Sequence, residues 1–231
     1  MPENSTRRLT HGAMMVAIFT VLLAASTYIP MLYIVAIWVL PLPLAWYSAK
    51  YQLSSSIAAT IVAIALSFIV GGGFAALPAA FIFALIGLVI GIMIRKKKSK
   101  LAMFLATSGA TLITFGIVYT AFAKLMNMNI LQVGLDSFEQ SMNLTRKMMV
   151  EANLSEAQMQ QFEAQFDMME KSVTYTMPSV IVFCVLTITF IILSINLPLL
   201  KRFKLDVPKF KPFRYMQLPR SILWYYLFHT I

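Results

Sequence analysis

Long apolar stretches alternate with short polar turns along this chain. Six of these stretches approach the roughly 20 residues that an α-helix needs to cross the hydrocarbon of a bilayer. They cover approximately residues 9–29, 32–47, 57–70, 74–94, 101–122 and 178–200. Hydrophobic residues make up 59% of the sequence and charged residues only 12%, so the chain has more apolar surface than a soluble domain buries. The pattern predicts an all-α, polytopic membrane helix bundle with six complete spans.

Positive charge is concentrated in every second turn between the apolar stretches. The positive-inside rule places the side that carries this charge in the cytoplasm. Fifteen of the 19 lysines and arginines fall on that side: Arg7, Arg8, Lys50, Lys100, residues 95–98 and the seven basic residues of 201–220. The N-terminus is therefore predicted to be cytoplasmic, and the long segment 126–176 external. Because the basic residues flank apolar spans, we interpret the net charge of +10 as a membrane signal and expect no nucleic-acid partner.

The segment 126–176 differs from the rest of the chain, because it carries seven of the nine acidic residues. Apolar residues recur there at helical spacing in two stripes: Leu131, Leu135, Phe138, Met142 and Met149, then Met159, Phe162, Phe166, Met169 and Val173. Ser155 and Gln158 form a capping box, which predicts that the second helix begins at Ser155. We expect an external amphipathic helical hairpin. A structural spacer and a partner-binding surface are both compatible with this pattern.

The chain divides into three parts on this interpretation. Residues 1–125 contain transmembrane helices 1–5, and residues 126–176 form the hairpin. Residues 177–231 contain helix 6, a cytoplasmic basic strap and the start of a seventh helix. The last apolar run, residues 221–231, is too short to cross a bilayer. The segment is either cut short or re-entrant, and we expect the former because an unfinished span leaves backbone polar groups unpaired in lipid.

The predicted spans carry no Asp, Glu, Lys or Arg in their interiors, although proton relays and ion-coupled carriers usually depend on such groups. The two histidines, His11 and His229, have no obvious ligand set, and the one cysteine, Cys184, lies within an apolar span. The sequence also lacks a Walker A loop, a zinc motif and a nucleophile elbow. We therefore expect no enzyme, no metal site and no cofactor.

Small residues four positions apart occur in several spans, where they let helices approach closely. The first span contains Ala13 and Ala17, and the fourth contains Gly87 and Gly91. Packing within the bundle is the simplest interpretation for any single pair. We nevertheless select Ala13 and Ala17 as the candidate site for docking a partner.

Two prolines, Pro41 and Pro43, interrupt the second span, and each frees a backbone carbonyl about one turn earlier. Together with Tyr28, Tyr33 and Trp38 they outline a candidate ligand-binding pocket on the external side. An aromatic belt at the membrane interface, combined with a simple kink, is the alternative interpretation.

The opening of the chain, residues 9–17, resembles the first helix of the substrate-binding S components of energy-coupling-factor vitamin transporters. In that family an alanine-x-x-x-alanine face docks onto a transmembrane coupling subunit, and Ala13 and Ala17 match it. The resemblance implies a transporter coupling subunit as partner. The long acidic hairpin departs from the vitamin-binding members, and the chain shows no vitamin-binding signature.

A second resemblance covers nearly the whole chain. The sequence is similar to the YybS-type predicted membrane proteins of Gram-positive bacteria, a family of unknown function that distantly resembles the S-component fold. The similarity lies in residues 40–43, 91–98, 177–179 and 213–220. It implies a location in the bacterial cytoplasmic membrane, with the lipid bilayer as the general partner.

Two functional hypotheses follow. In the first, the protein resembles a substrate-binding S component, captures a small molecule from outside and docks to a transporter partner. In the second, it is a non-transporting scaffold or regulator, and its external hairpin binds an envelope protein or lipid.

Overall fold

The structure is a computed structural model, and it describes residues 3–126, 130–151 and 156–207. These residues form an all-α fold with a short 3₁₀ turn at Gly73–Ala75. The helices are α1 (Glu3–Tyr28), α2 (Pro30–Val39), α3 (Leu42–Lys50), α4 (Leu53–Val70), α5 (Leu77–Arg95), α6 (Lys100–Met126), α7 (Ile130–Glu151) and α8 (Glu156–Arg202). The partial seventh span, most of the basic strap and the capping-box serine at 155 lie outside the described residues.

Six segments of the described chain are long and apolar enough to cross a membrane, which confirms the predicted number of complete spans. They are Ser5–Tyr28, Met31–Lys50, Leu53–Val70, Gly73–Arg95, Lys100–Lys124 and Tyr175–Arg202. The second segment combines α2 and α3, and the fourth combines the 3₁₀ turn with α5.

Burial is distributed as expected for a protein whose solvent is lipid. Large apolar side chains face outward, with Met31 85% exposed and Ile69 73% exposed. Small polar side chains instead lie inside the bundle, where Thr107, Thr189 and Asn196 are fully buried. In water this arrangement would expose the surface that drives folding, whereas a bilayer covers it.

Helix α5 is the centre of the bundle and packs on α3, α4 and α6. Its closest approach is to α3, where the two glycines of α5 allow backbone contact. A Cβ at Gly87 would lie 2.6 Å from the carbonyl oxygen of Pro41, and one at Gly91 would lie 2.5 Å from that of Ala45. The interpretation of Gly87 and Gly91 as packing within the bundle is therefore confirmed.

The second span is broken at its midpoint. Helix α2 ends at Val39 and α3 begins at Leu42, next to the two prolines. The carbonyl of Trp38 accepts a hydrogen bond of 2.7 Å from the side-chain amide of Asn196 on α8. The same amide donates to the carbonyl of Ile192 at 2.8 Å. Asn196 therefore ties the end of α2 to α8, at a place where the proline break interrupts the helical ladder.

Helix α8 runs without interruption for 47 residues, or about 70 Å at the usual rise of 1.5 Å per residue. Only the part from Tyr175 to Arg202 is apolar enough to span a membrane. The predicted division between hairpin and sixth span, at residues 176 and 177, thus falls inside one continuous helix that includes Pro178. Most side chains of the two apolar stripes lie outside the described residues, so the packing of one stripe on the other stays a prediction.

Candidate functional site

A groove of about 620 Å³ lies between α1 and α4. These two helices pack along each other, and both begin at the side of the bundle that is predicted to be cytoplasmic. Small side chains form its middle: Ala13 and Ala17 on α1, and Ala58 and Ala59 on α4. Because alanine projects only a methyl group, the two helices leave space between them that their own side chains do not fill.

Tyr47 of α3 closes the floor of the groove near its predicted cytoplasmic end. Its side chain is 3% exposed, and its hydroxyl donates to the backbone carbonyl of Arg8 at 3.3 Å. Gly12 makes room for the ring, because a Cβ at that position would lie 2.9 Å from the tyrosine oxygen. The glycine therefore allows the backbone of α1 to pack directly on the Tyr47 ring of α3.

The groove is polar at one end and apolar at the other. Thr6, Arg8 and Ser55 line the end near the predicted cytoplasmic surface, whereas Val62 and Leu66, which are exposed, line the end farther along α4. An amphiphile therefore matches the groove better than a uniformly apolar or uniformly polar ligand does.

Arg8 supplies the positive charge at the polar end. Its side chain is half-buried. Within the described part of the chain, Lys97 and Asp206 form an ion pair at 3.8 Å. No described carboxylate pairs with Arg8. This end of the groove therefore carries a cation that the described part of the chain does not neutralise.

The two predicted docking residues lie in this groove. Ala13 and Ala17 are both exposed and line the α1 wall, whereas Val16 between them also lines the groove but is only 4% exposed. The structure thus brings the pair to the membrane-facing side of α1. That a partner docks there stays a prediction.

Two of the three predicted ligand-binding residues lie at the opposite end of the first two spans, and Trp38 lies near the midpoint of the second span. Tyr28 is 68% exposed at the end of α1, and its hydroxyl donates to the carbonyl of Val70 at 3.4 Å. Tyr33 is exposed on α2, and Trp38 is half-buried against the core. Within the described part of the chain, the aromatic rings of these three residues do not contact one another. Their role in a pocket stays a prediction.

A cluster of aromatic and basic residues at the predicted cytoplasmic end escaped the sequence analysis. His11 contacts the rings of Trp46 and Tyr51 and shares a hydrogen bond with the Tyr51 hydroxyl. The Lys50 ammonium lies 4.7 Å from the centre of the Trp46 ring, and the guanidinium of Arg95 donates to the Tyr51 carbonyl. The i, i+4 spacing of Trp46 and Lys50 was the available signal. The cluster ties α1, α3 and α5 together beside the groove.

Comparison with known proteins supports the resemblance to the YybS-type family. Residues 17–231 match the family model described as "Predicted membrane protein (DUF2232)". The chain is 29% identical over 229 residues to "Uncharacterized protein YybS" of Bacillus subtilis (strain 168), which covers 97% of this chain and 72% of that protein. No solved structure matches. The chain is thus an integral membrane protein that belongs to the DUF2232 family of predicted membrane proteins.

Proposed function

We propose that this protein is a membrane-embedded binding component that holds a ligand in the α1–α4 groove and lends it to a partner membrane protein. The partner docks on the exposed side of α1, at Ala13 and Ala17. The observation that carries the proposal is the coincidence of these two alanines with the wall of an unfilled groove. A partner helix that lies over the pair also covers whatever the groove contains.

The physical basis is the weakness of the hydrophobic effect between helices in lipid. Lipid tails are as apolar as leucine, so association depends on close packing, which small residues permit. Ala13 and Ala17 lie on consecutive turns and offer such a surface on α1. The neighbouring exposed residues Met14 and Ile18 supply apolar contacts at its edge.

The proposal is tested by replacing both alanines with phenylalanine in the full chain and measuring which membrane proteins co-purify from native membranes. We expect recovery of a transporter coupling subunit to fall at least about tenfold, which corresponds to about 1.4 kcal/mol of binding free energy. The control is Ala65→Phe, because Ala65 is also exposed on α4 but does not line the groove. Equal recovery from the double variant and the control would reject docking at this face.

A second function, that of a non-transporting scaffold, is favoured by the continuity of α8. One helix connects the sixth span with the predicted external hairpin, so a protein bound outside would be held at a fixed position relative to the bundle. Removing residues 130–173 separates the two functions. Loss of an envelope partner with transport intact supports the scaffold, and retention of every partner rejects it.

A further inference from the structure

We infer that the α1–α4 groove binds one anionic phospholipid of the cytoplasmic leaflet, with the phosphate at Arg8 and an acyl chain along the alanine-lined walls. This phospholipid is the ligand of the proposed function. Its assignment rests on that function only because the same groove is taken as the ligand site. Lipid binding itself is measurable without any partner.

The volume of the groove fits one acyl chain and the atoms that join it to a headgroup. Its 620 Å³ lies within the range of roughly 300–1,000 Å³ that is usual for small-molecule sites. The second chain of a phospholipid would remain among the surrounding lipids, and a partner helix could lie over the groove.

The length of the groove matches one leaflet. From Arg8 to Ala17 along α1 the rise is about 14 Å, and from Ser55 to Leu66 along α4 it is about 17 Å. Half of the hydrocarbon thickness of a bilayer is about 15 Å. An acyl chain that begins at the polar end would therefore reach the membrane centre near Ala17 and Leu66.

The charge of the polar end selects an anionic headgroup. The planar guanidinium of arginine forms paired hydrogen bonds with phosphate, and a half-buried position strengthens them because less water screens the charge. Arg8 lacks a carboxylate partner among the described residues, and the hydroxyls of Thr6 and Ser55 line the same end. These groups suit a phosphate, whereas the apolar remainder of the groove excludes a soluble phosphate compound as the complete ligand.

The test uses the full chain in detergent, with native mass spectrometry after titration with phosphatidylglycerol or phosphatidylcholine. We expect one phosphatidylglycerol per chain, bound more tightly than phosphatidylcholine, because the choline cation that accompanies the same phosphate is repelled by Arg8. Arg8→Gln should weaken phosphatidylglycerol binding about tenfold and remove the preference for it. Arg7→Gln is the matched control, because Arg7 is the adjacent arginine but is exposed and does not line the groove.

A second pair of variants tests the acyl-chain end. Ala17→Phe should weaken the binding of both lipids, because the phenylalanine ring fills the groove. Ala65→Phe should leave the binding of both lipids unchanged. Thermal unfolding of each variant in the same detergent establishes that it is folded. Glycerol phosphate, which has an anionic phosphate but no tail, should not compete.

Several outcomes would overturn the inference. Equal phosphatidylglycerol binding by the Arg8 and Arg7 variants would do so, as would full competition by glycerol phosphate. Loss of a protein partner in Arg8→Gln with lipid binding unchanged would assign the arginine to an acidic group on that partner instead. Failure of the docking experiment with selective lipid binding intact would reject only the proposed docking, so the two hypotheses fail separately.

Discussion

The α3–α5 and α1–α4 interfaces both contain small residues four positions apart, yet they differ in what those residues do. On α5, Gly87 and Gly91 let the helix pack against the backbone of α3. A Cβ added at either glycine would lie within 2.6 Å of a backbone carbonyl oxygen. On α1, Ala13 and Ala17 remain exposed beside a groove of 620 Å³. One pair closes an interface, and the other leaves one open.

The difference lies in the surface opposite each pair. Helix α3 begins just after a proline break, and the carbonyls of Pro41 and Ala45 lie against the two glycines. Helix α1 instead rests on Tyr47 through Gly12 at the floor of the groove, while Ala13 and Ala17 on the wall of the groove stay exposed. The spacing of small residues therefore indicates where helices can approach, while the opposite surface determines whether they do.

The largest expected effect comes from adding one methyl group to the closed interface. Gly91→Ala would place its Cβ within 2.8 Å of the Ala49 nitrogen and within 2.5 Å of the Ala45 carbonyl oxygen. Because backbone cannot move aside as a side chain can, we expect a loss of about 1–3 kcal/mol of stability. Thermal unfolding in detergent measures it. Gly116→Ala is the control, since its Cβ would meet no atom within 4 Å.

A smaller effect is expected from the asparagine at the break of the second span. Asn196→Leu removes the donor to the Trp38 carbonyl and leaves that oxygen without this partner in the protein interior. The expected loss is about 0.5–1.5 kcal/mol, which is the usual net contribution of one hydrogen bond. Thr187→Val on the same helix is the comparison, because Thr187 is exposed and bonds only to its own helix. Equal melting temperatures for the two variants would contradict a structural role for Asn196.

The smallest effect on stability is expected in the open groove. Ala13→Leu adds three carbon atoms at an exposed position, so the free energy of unfolding should change by no more than about 0.5 kcal/mol. The melting temperature should remain close to that of the unaltered protein. A loss as large as that of Gly91→Ala would show that the two interfaces are equally closed and would remove the distinction between them.

The sequence was sufficient to predict the six spans, because apolar length and flanking charge report directly on membrane crossing. It also placed the interruption of the second span at Pro41 and Pro43, since proline ends a helical ladder by its covalent structure. The two glycines of α5 were correctly interpreted as a packing surface. Each of these features depends on residues that are close together in the chain.

The groove was not predictable in the same way. The groove depends on how α1 and α4 pack on each other. It also depends on the contact between Gly12 and Tyr47, two residues that are 35 positions apart in the sequence. The role of Asn196 was missed, although a lone amide in an apolar span calls for a hydrogen-bond partner. The continuity of α8 was also missed, because Pro178 resembles the first residue of a new helix and instead lies inside an existing one.

The break in the second span divides one membrane crossing into two units that differ in how firmly the bundle holds them. In α2 the side chains from Met31 to Val35 are exposed, so few contacts with the rest of the bundle hold this unit. In α3 most side chains are buried, and the glycines of α5 lie against its backbone. Lipid does not tolerate unpaired backbone groups, so α2 stays helical, but its hydrogen-bond ladder is separate from that of α3. The α2 half of this span can therefore tilt as an intact helix while the α3 half stays anchored.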